Sequence, residues 1–478
     1  MSPSDRTALV HAQGQLSRQA LDAMVQRLAR DLTGRRLRAV GTLLDNGPAW
    51  VAVDLALALA GIVHVPLPVF FTPAQMQHAL AVSGADGLIT SAVLASGWSG
   101  LPEADLDVAG ESLRLIGLPG QAHVLPEGTT KITFTSGSTG QPKGVCLSQV
   151  GMQRMVQGLV VALAPLNMRR HLCALPLPVL LENMAGVLAP LAHGSECVVL
   201  PLHQLGLSGS SRFDPAVFDA AVRQWAPCSL ILLPQMLRAW TDWLQTGGRR
   251  APPSLKLVAV GGAAVGERLI RSARAVGVPA HEGYGLSEGG SVQTLNLPGA
   301  DRPGSAGRPL PHTRLRVDEL GQIHIAGSLM AGYLGGPALA SEWWPTGDIG
   351  HLDADGFLHV QGRLRNVLIT SYGRNVSPEW VESALREEPL IAQAVVFGEG
   401  QPSLSAVVWS SHPQATDAQL DDAVQAANEG LPDYAQVGRW VRGCAPFDAS
   451  HGMATANGRP QRETIYQRHV HALTLPTE

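Results

Sequence analysis

Residues Thr133 to Gly144 read TFTSGSTGQPKG, and this stretch decides how the rest of the chain is read. Glycine has no Cβ, so backbone N–H groups at Gly137 and Gly140 can come close to an anion. Ser136, Ser138 and Thr139 add short hydroxyl donors, and Lys143 adds a point charge. Successive donors in such a turn form a concave nest for phosphate. A Walker loop would need Gly-Lys-Ser/Thr four residues beyond a first glycine. Neither Gly137 nor Gly140 has that sequence at the required offset. The segment is a phosphate loop of another kind.

The chain has 478 residues, enough for two or more domains. It is 45% hydrophobic and 15% charged, the composition of a soluble globular protein. A net charge of −4 excludes the basic footprint of a nucleic-acid binder. The pairs Arg35-Arg36, Arg169-Arg170 and Arg249-Arg250 read as solvated loop ends. Five cysteines without C-x-x-C spacing suit a reducing compartment. The first residues lack the apolar core of a signal peptide, so a cytoplasmic location is expected. Leu55 to Phe71 is strongly apolar, but Gly61, His64, Pro66 and Pro68 interrupt it, short of the ~20 residues of a membrane span. A buried helix running into a buried strand is expected there, with no stable membrane insertion.

Helical periodicity covers Leu16 to Leu32, with Ser17 as N-cap. Short apolar runs alternate with helical segments: Val40–Leu44, Leu88–Thr90, Leu172–Leu175, Cys197–Leu200, Leu230–Leu233 and Leu257–Val260. Such alternation predicts layered α/β sheets with buried strands. Leu205–Ser211 and Thr246–Pro253 read as surface loops. From about Gly299, turn-bounded strands at Leu315–Val317, Gln322–Ile325 and Phe357–Val360 predict a small β-rich subdomain. A compact α+β tail follows, with strands at Val395–Gly398, Leu404–Trp409 and Gly438–Arg442 and a helix at Thr416–Asn428.

Four further segments carry chemistry. Gly261-Gly262-Ala263 follows the strand Leu257–Val260, at the strand end where open α/β sheets bind ligands. His281 to Glu288 reads HEGYGLSE: Tyr284 offers a flat face to a base and Glu288 an oxygen to a hard cation. Asp348 in WWPTGDIG is a two-oxygen acceptor, and Asp353–Gly356 (DADG) a hairpin turn. The last segments are Gly362–Glu379 (GRLRNVLITSYGRNVSPE) and Thr455–Arg462 (TANGRPQR).

Together these segments resemble the adenylate-forming family of acyl-CoA synthetases, luciferases and peptide-synthetase adenylation domains. The matching blocks lie between Thr133 and Arg462. The resemblance implies a large N-terminal ATP- and acyl-binding domain, residues 1–364, and a small mobile C-terminal domain, residues 365–478. It implies that Thr135, Ser136, Gly137, Ser138, Thr139, Gly140 and Lys143 hold the phosphates of ATP. Gly262, Tyr284, Gly285 and Ser287 would surround the adenosine, with Ser287 where the family more commonly has threonine. Asp348 would hold the ribose hydroxyls, Arg363 ribose or phosphate, and Thr139 with Glu288 the Mg²⁺. Arg365 would be the hinge and Gly373 would line the thiol tunnel. Arg459 stands where the family carries its adenylation lysine; arginine keeps the charge and can bind phosphate in a fork, but the exchange is not conservative.

The implied reaction joins a small-molecule carboxylic acid to ATP as an acyl-adenylate and then to a thiol, coenzyme A or carrier-protein pantetheine. The stretch Leu175–Asn183 (LPLPVLLEN) lacks the aspartate that amino-acid-activating members use, and Val179 replaces the histidine gate of many acyl-CoA synthetases. Glu182 occupies a position where long-chain members also have glutamate, and a charge at a helix N-terminus accounts for it equally. With Val179, Gly262 and Ala263 as the acyl pocket's edge, a medium- or long-chain fatty acid is expected, with aromatic or other hydrophobic carboxylic acids left open because pocket residues are not motif residues. Arg459 and Val179 leave a second reading, a nucleotide- or acyl-binding homologue impaired in catalysis. An acyl-AMP ligase serving an acyl carrier protein is a third, though no insertion is evident between Leu255 and Gly362.

Overall fold

A computed structural model describes residues 6–98, 100–121, 123–135, 143–209, 212–371, 374–455 and 458–474. Ser136 to Gly140 of the phosphate loop, and Gly373 of the expected tunnel, lie outside the described residues. Two large sheets dominate the first part of the chain. One has nine strands, and its centre is the parallel series Glu196–Val198, Arg170–Leu172, Ser229–Leu232, Leu257–Val260 and Ala280–Leu286. The other has eight, with Val63–Pro66, Ala39–Leu43 and Gly87–Ser91 parallel at its centre and Thr129–Thr135 beside them. Parallel strands need both faces covered, which explains why apolar residues such as those of Leu257–Val260 dominate several of them.

Helices fill the space between the sheets. Ser17 caps the helix Arg18–Gly34, accepting the Ala20 N–H at 3.1 Å, and Leu21, Val25, Leu28 and Leu32 form its buried stripe. The helix Pro48–Ala60 is buried nearly all round, and Gly61, at φ +69°, ends it before the strand Val63–Pro66. Its Trp50 and Leu57 pack with Leu9 and Cys197 of one sheet and Val40 and Ile89 of the other. Each such side chain contributes about 1.5–3 kcal/mol by burial. The apolar stretch is therefore core, and no helix among the described residues is long and apolar enough to cross a membrane.

Thr313–Val317, Gln322–Gly327, Trp343–Leu352 and Leu358–Arg363 form the small antiparallel sheet. Its last hairpin turns at Asp353, whose Oδ1 takes the N–H groups of Asp355 and Phe357 at 3.0 Å. After a 3₁₀ turn at Leu364–Asn366 comes the last unit, three strands (Ile391–Phe397, Leu404–Ser410, Val437–Arg442) packed with the helices Pro378–Glu387, Asp417–Glu429 and Arg462–Thr474.

Two local expectations are corrected. Leu205, read as part of a surface loop, is fully buried at the end of a 3₁₀ turn, and Leu207–Ser208 pairs with Arg212–Phe213; Ser210 and Ser211 lie outside the described residues. Arg170 begins a central strand and pairs with Glu196 at 2.7 Å, because its partner stands on the neighbouring strand and supplies the countercharge.

Candidate active site

A cavity of about 720 Å³ opens between the C-terminal strand ends of the nine-stranded sheet, the small antiparallel sheet and the last unit. Its mouth is polar and its interior arm apolar. Thr135, Lys143, Tyr284, Glu288, Arg363 and Arg459 all face the mouth. Gly285, Ser287 and Arg365 line it as well.

The local fold explains how these groups are presented. Ala280–Leu286 turns back on Ser291–Leu295 so tightly that a Cβ on Gly285 would lie 1.8 Å from the Ser291 carbonyl. Gln293 clamps the turn, accepting the Leu286 N–H at 2.9 Å and donating to the Gly289 carbonyl at 2.8 Å. Glu288 thereby projects from the 3₁₀ turn Ser287–Gly289. Its Oε1 accepts the Tyr333 hydroxyl at 2.7 Å, and the Lys143 ammonium stands 5.8 Å from the Tyr333 ring centre. Glu288 keeps further lone pairs, so a carboxylate and nearby phosphates fit the usual protein contribution to a magnesium site.

Asp348 is buried behind the mouth. Tyr284 donates to its Oδ2 at 2.6 Å and Arg363 Nε pairs with its Oδ1 at 2.7 Å. Burial pushes this carboxyl up, while Arg363 and the Tyr284 hydroxyl pull against it. Burial and the Asp348 carboxylate both raise the Tyr284 phenol, so it stays a neutral donor. The loop of the last unit brings in Arg459, whose amide donates to Thr455 Oγ1 at 3.2 Å. Desolvation and the neighbouring Arg363 lower the Arg459 pKa, and Asp348 and Glu288 act in the opposite direction. Lys143, Arg363, Arg365 and Arg459 thus share one field with Glu288 and Asp348.

Behind the mouth, the arm is lined by Leu159, Leu163, Leu257, Ala259 and Leu295, with Val179 and Gly262 on its edge. Ala263, expected in the acyl pocket, is exposed and absent from the wall: Gly262, at φ +84°, turns the backbone outward after the strand. Ser291 also lines the cavity, with φ +132° and a buried hydroxyl that has no partner. A non-glycine residue held there is strained, a condition that concentrates at functional sites.

Sequence reasoning passed over His171 and Ser229. Each stands immediately before an apolar run, at Leu172 and Leu230, and the two are register partners on adjacent parallel strands. That shared position was the available signal. Glu182 does stand at the N-terminal end of a helix. It is fully buried at the start of a π-helix, Glu182–Leu188, and accepts the Leu175 N–H at 3.0 Å while facing His171 Nε2 at 3.1 Å. A Cβ on Gly186 would overlap Glu182 Oε1 at 1.9 Å. π-helical turns recur at functional sites. The next residue, Asn183, joins a second buried cluster: it donates to Asp54 Oδ2 at 2.9 Å and accepts from Lys131, while Lys131 and His64 meet Asp54 Oδ1 at 2.7 and 2.6 Å.

The layered sheets, the β-rich subdomain and the small final unit define the adenylate-forming class of enzymes. The AMP-binding enzyme model matches residues 1–334 and the AMP-binding enzyme C-terminal domain model residues 365–473; the chain belongs to the AMP-binding enzyme family. A feruloyl-CoA synthase from Amycolatopsis sp is 30% identical over 439 residues, covering 84% of each chain. A 2-succinylbenzoate–CoA ligase from Bacillus cytotoxicus is 24% identical over 454 residues, 90% of each. A long-chain-fatty-acid–CoA ligase from Mycobacterium bovis is 30% identical over 237 residues, 44% of this chain and 40% of the relative. In fold, the chain matches o-succinylbenzoate CoA synthetase from Bacillus subtilis in complex with its acyl-adenylate, at TM-score 0.78, 22% identity, and 97% and 96% coverage. An anthranilate CoA ligase with anthranoyl-AMP gives 0.80 at 20% identity, with 99% and 96% coverage.

Proposed function

We propose that the chain is an AMP-forming acid–coenzyme A ligase for a carboxylic acid with an apolar body. The observation that carries this is the continuity of the cavity, in which a wall bearing Lys143, Arg363, Arg459 and Glu288 runs directly into an apolar one. In the first step a substrate carboxylate oxygen bonds to the α-phosphorus of ATP, and the bond from that phosphorus to the leaving pyrophosphate breaks. Lys143, Arg363 and Arg459 stabilise the charge that develops, while the walls hold the two reactants in line. A magnesium ion at Glu288, when bound, neutralises phosphate charge. Asp348 accepts the ribose hydroxyls and Tyr284 packs against the base. In the second step the thiol of coenzyme A attacks the acyl carbon and AMP leaves. Residues 365–478 swing about Arg365 between the steps, withdrawing Arg459 from the mouth.

For the acid, a medium- or long-chain fatty acid suits the alkyl lining of the arm. An aryl-propenoic acid is the second reading, favoured by the relative named as a feruloyl-CoA synthase, which matches most of both chains. The test is acid-dependent pyrophosphate release with hydroxylamine as trap, across fatty, aryl and amino acids, followed by acyl-CoA formation. Release with fatty or aryl acids and none with amino acids is expected. ATP binding with no release for any acid would overturn the ligase reading.

A further inference from the structure

The arm is not apolar throughout. His171 and Ser229 line the same cavity as the mouth, and each is only 4% exposed. The Ser229 hydroxyl lies 2.9 Å from His171 Nδ1, and His171 Nε2 lies 3.1 Å from Glu182 Oε1. Both Glu182 oxygens and both imidazole nitrogens are therefore engaged within the protein. The Ser229 hydroxyl is the exception: it has one donor and two acceptor positions, and a single hydrogen bond among the described residues. Beyond this wall a side cavity of about 20 Å³ shares Leu163, Met168, His171, Pro190 and Ser229, and has His193 and Ser195 on its other side. That is room for about one water molecule.

Building on the ligase reading, we propose that the acid carries a neutral hydroxyl group at the end remote from its carboxylate, and that this hydroxyl is bound by Ser229, which His171 and Glu182 orient. A buried polar group without a full set of partners costs stability, and a matching ligand group repays that cost on binding. The relay has two proton arrangements. If Glu182 is ionised, His171 donates to it and Ser229 donates to His171, leaving the serine oxygen to accept from the ligand. If Glu182 is protonated, it donates to His171, His171 donates to Ser229, and the serine proton is free for the ligand. Burial raises the Glu182 pKa, with the His171 bond opposing it. A hydroxyl is served by either arrangement, because it both donates and accepts. Glu182, fully buried, stands behind His171 and outside the cavity wall, and among the described residues no arginine or lysine is bonded to His171 or Ser229, so a second carboxylate or a sulfonate finds no countercharge there.

The experiment compares wild-type kcat/KM for matched acids: 4-hydroxycinnamate against cinnamate, and ω-hydroxyalkanoates against alkanoates of equal length, with the corresponding dicarboxylates included. The two pairs distinguish an aryl from an alkyl carrier of the same group. A preference for the hydroxylated member of one pair is expected, with dicarboxylates poorest. In Ser229→Ala that preference falls roughly 10- to 100-fold. In His171→Gln it falls in part, and its pH dependence changes. Equal kcat/KM within both pairs for wild type, or an unchanged ratio in Ser229→Ala, overturns the assignment while leaving the ligase reading intact. No activity with any acid overturns both.

Discussion

Replacing Lys131 by methionine removes the only cation of a cluster in which Asp54, His64, Asn183 and Thr42 are all buried. Lys131 Nζ lies 2.7 Å from Asp54 Oδ1. With an effective dielectric of about 20, that separation gives a gross attraction of about 6 kcal/mol. Desolvation of both groups takes back much of it, and removing one partner from a buried pair costs about 3–5 kcal/mol, because the other charge is left alone. The large domain's melting temperature should therefore fall by roughly 4–7 °C, measured calorimetrically at neutral pH. The double variant Asp54→Asn/Lys131→Met should recover at least about 1 kcal/mol over Lys131→Met, since no charge is stranded. Burial pushes the Asp54 carboxyl up, but Lys131 and His64 outweigh it and hold it well below the ordinary aspartate value. A carboxyl with a depressed folded pKa stabilises above its unfolded value of 3.8 and loses that contribution as pH falls towards the folded one. The difference between wild type and Lys131→Met should accordingly shrink on acidification below about pH 4. A Lys131→Met protein melting within 2 °C of wild type, or a double variant no better than the single, would refute the account. The cluster also bears on the site. Lys131 lies on the strand Thr129–Thr135 that leads to the phosphate loop, and Asn183 on the π-helix that carries Glu182. Activity should drop even in the folded fraction.

Three other outcomes follow from the same geometry. Arg459→Ala should slow acid-dependent pyrophosphate release about 10²- to 10³-fold, while thiolysis of supplied acyl-adenylate changes less than about tenfold; equal losses in both half-reactions would remove Arg459 from the adenylation step. Burial raises the Glu282 carboxyl to about 8 against a backbone bond from Val265, so the folded state holds its proton longer than the unfolded chain. Stability should fall as pH rises from 4.5 to about 8, at up to about 1.4 kcal/mol per pH unit, and Glu282→Gln should flatten that slope in urea melts. Ser291→Gly relieves a strained φ of +132° and an unpartnered hydroxyl, and should leave stability unchanged or raise it by about 1 kcal/mol while raising KM for the acid. A destabilised protein with unaltered KM would contradict that assignment.

Which parts were readable in advance depends on how far apart the deciding residues lie. Ser17 and the Leu21–Leu32 stripe specify a helix within one short window, and the helix stands where the pattern places it. The same holds for the apolar strand runs, the Asp353 turn and the final α+β unit, since each is decided by neighbours in sequence. The mouth is partly local in the same sense: Tyr284, Ser287 and Glu288 sit on one hairpin, and Gly285 permits it. What escaped is decided by register between distant strands. The one sign that Ser229 will stand beside His171, 58 positions earlier, is that each precedes an apolar run, and nothing local shows that Glu182 will turn inward to meet the same ring. Ala263 failed for a related reason, because the positive φ of Gly262 reverses which neighbour faces the cavity. Chemistry common to a family resides in contiguous strings, because the phosphates of ATP are gripped by loops at strand ends. Selectivity for one acid is written across strands instead, where a buried hydroxyl gains meaning only from the partner that register brings to it. The acid is therefore better sought from His171, Ser229 and Ser291 than from the motif that opens the phosphate loop.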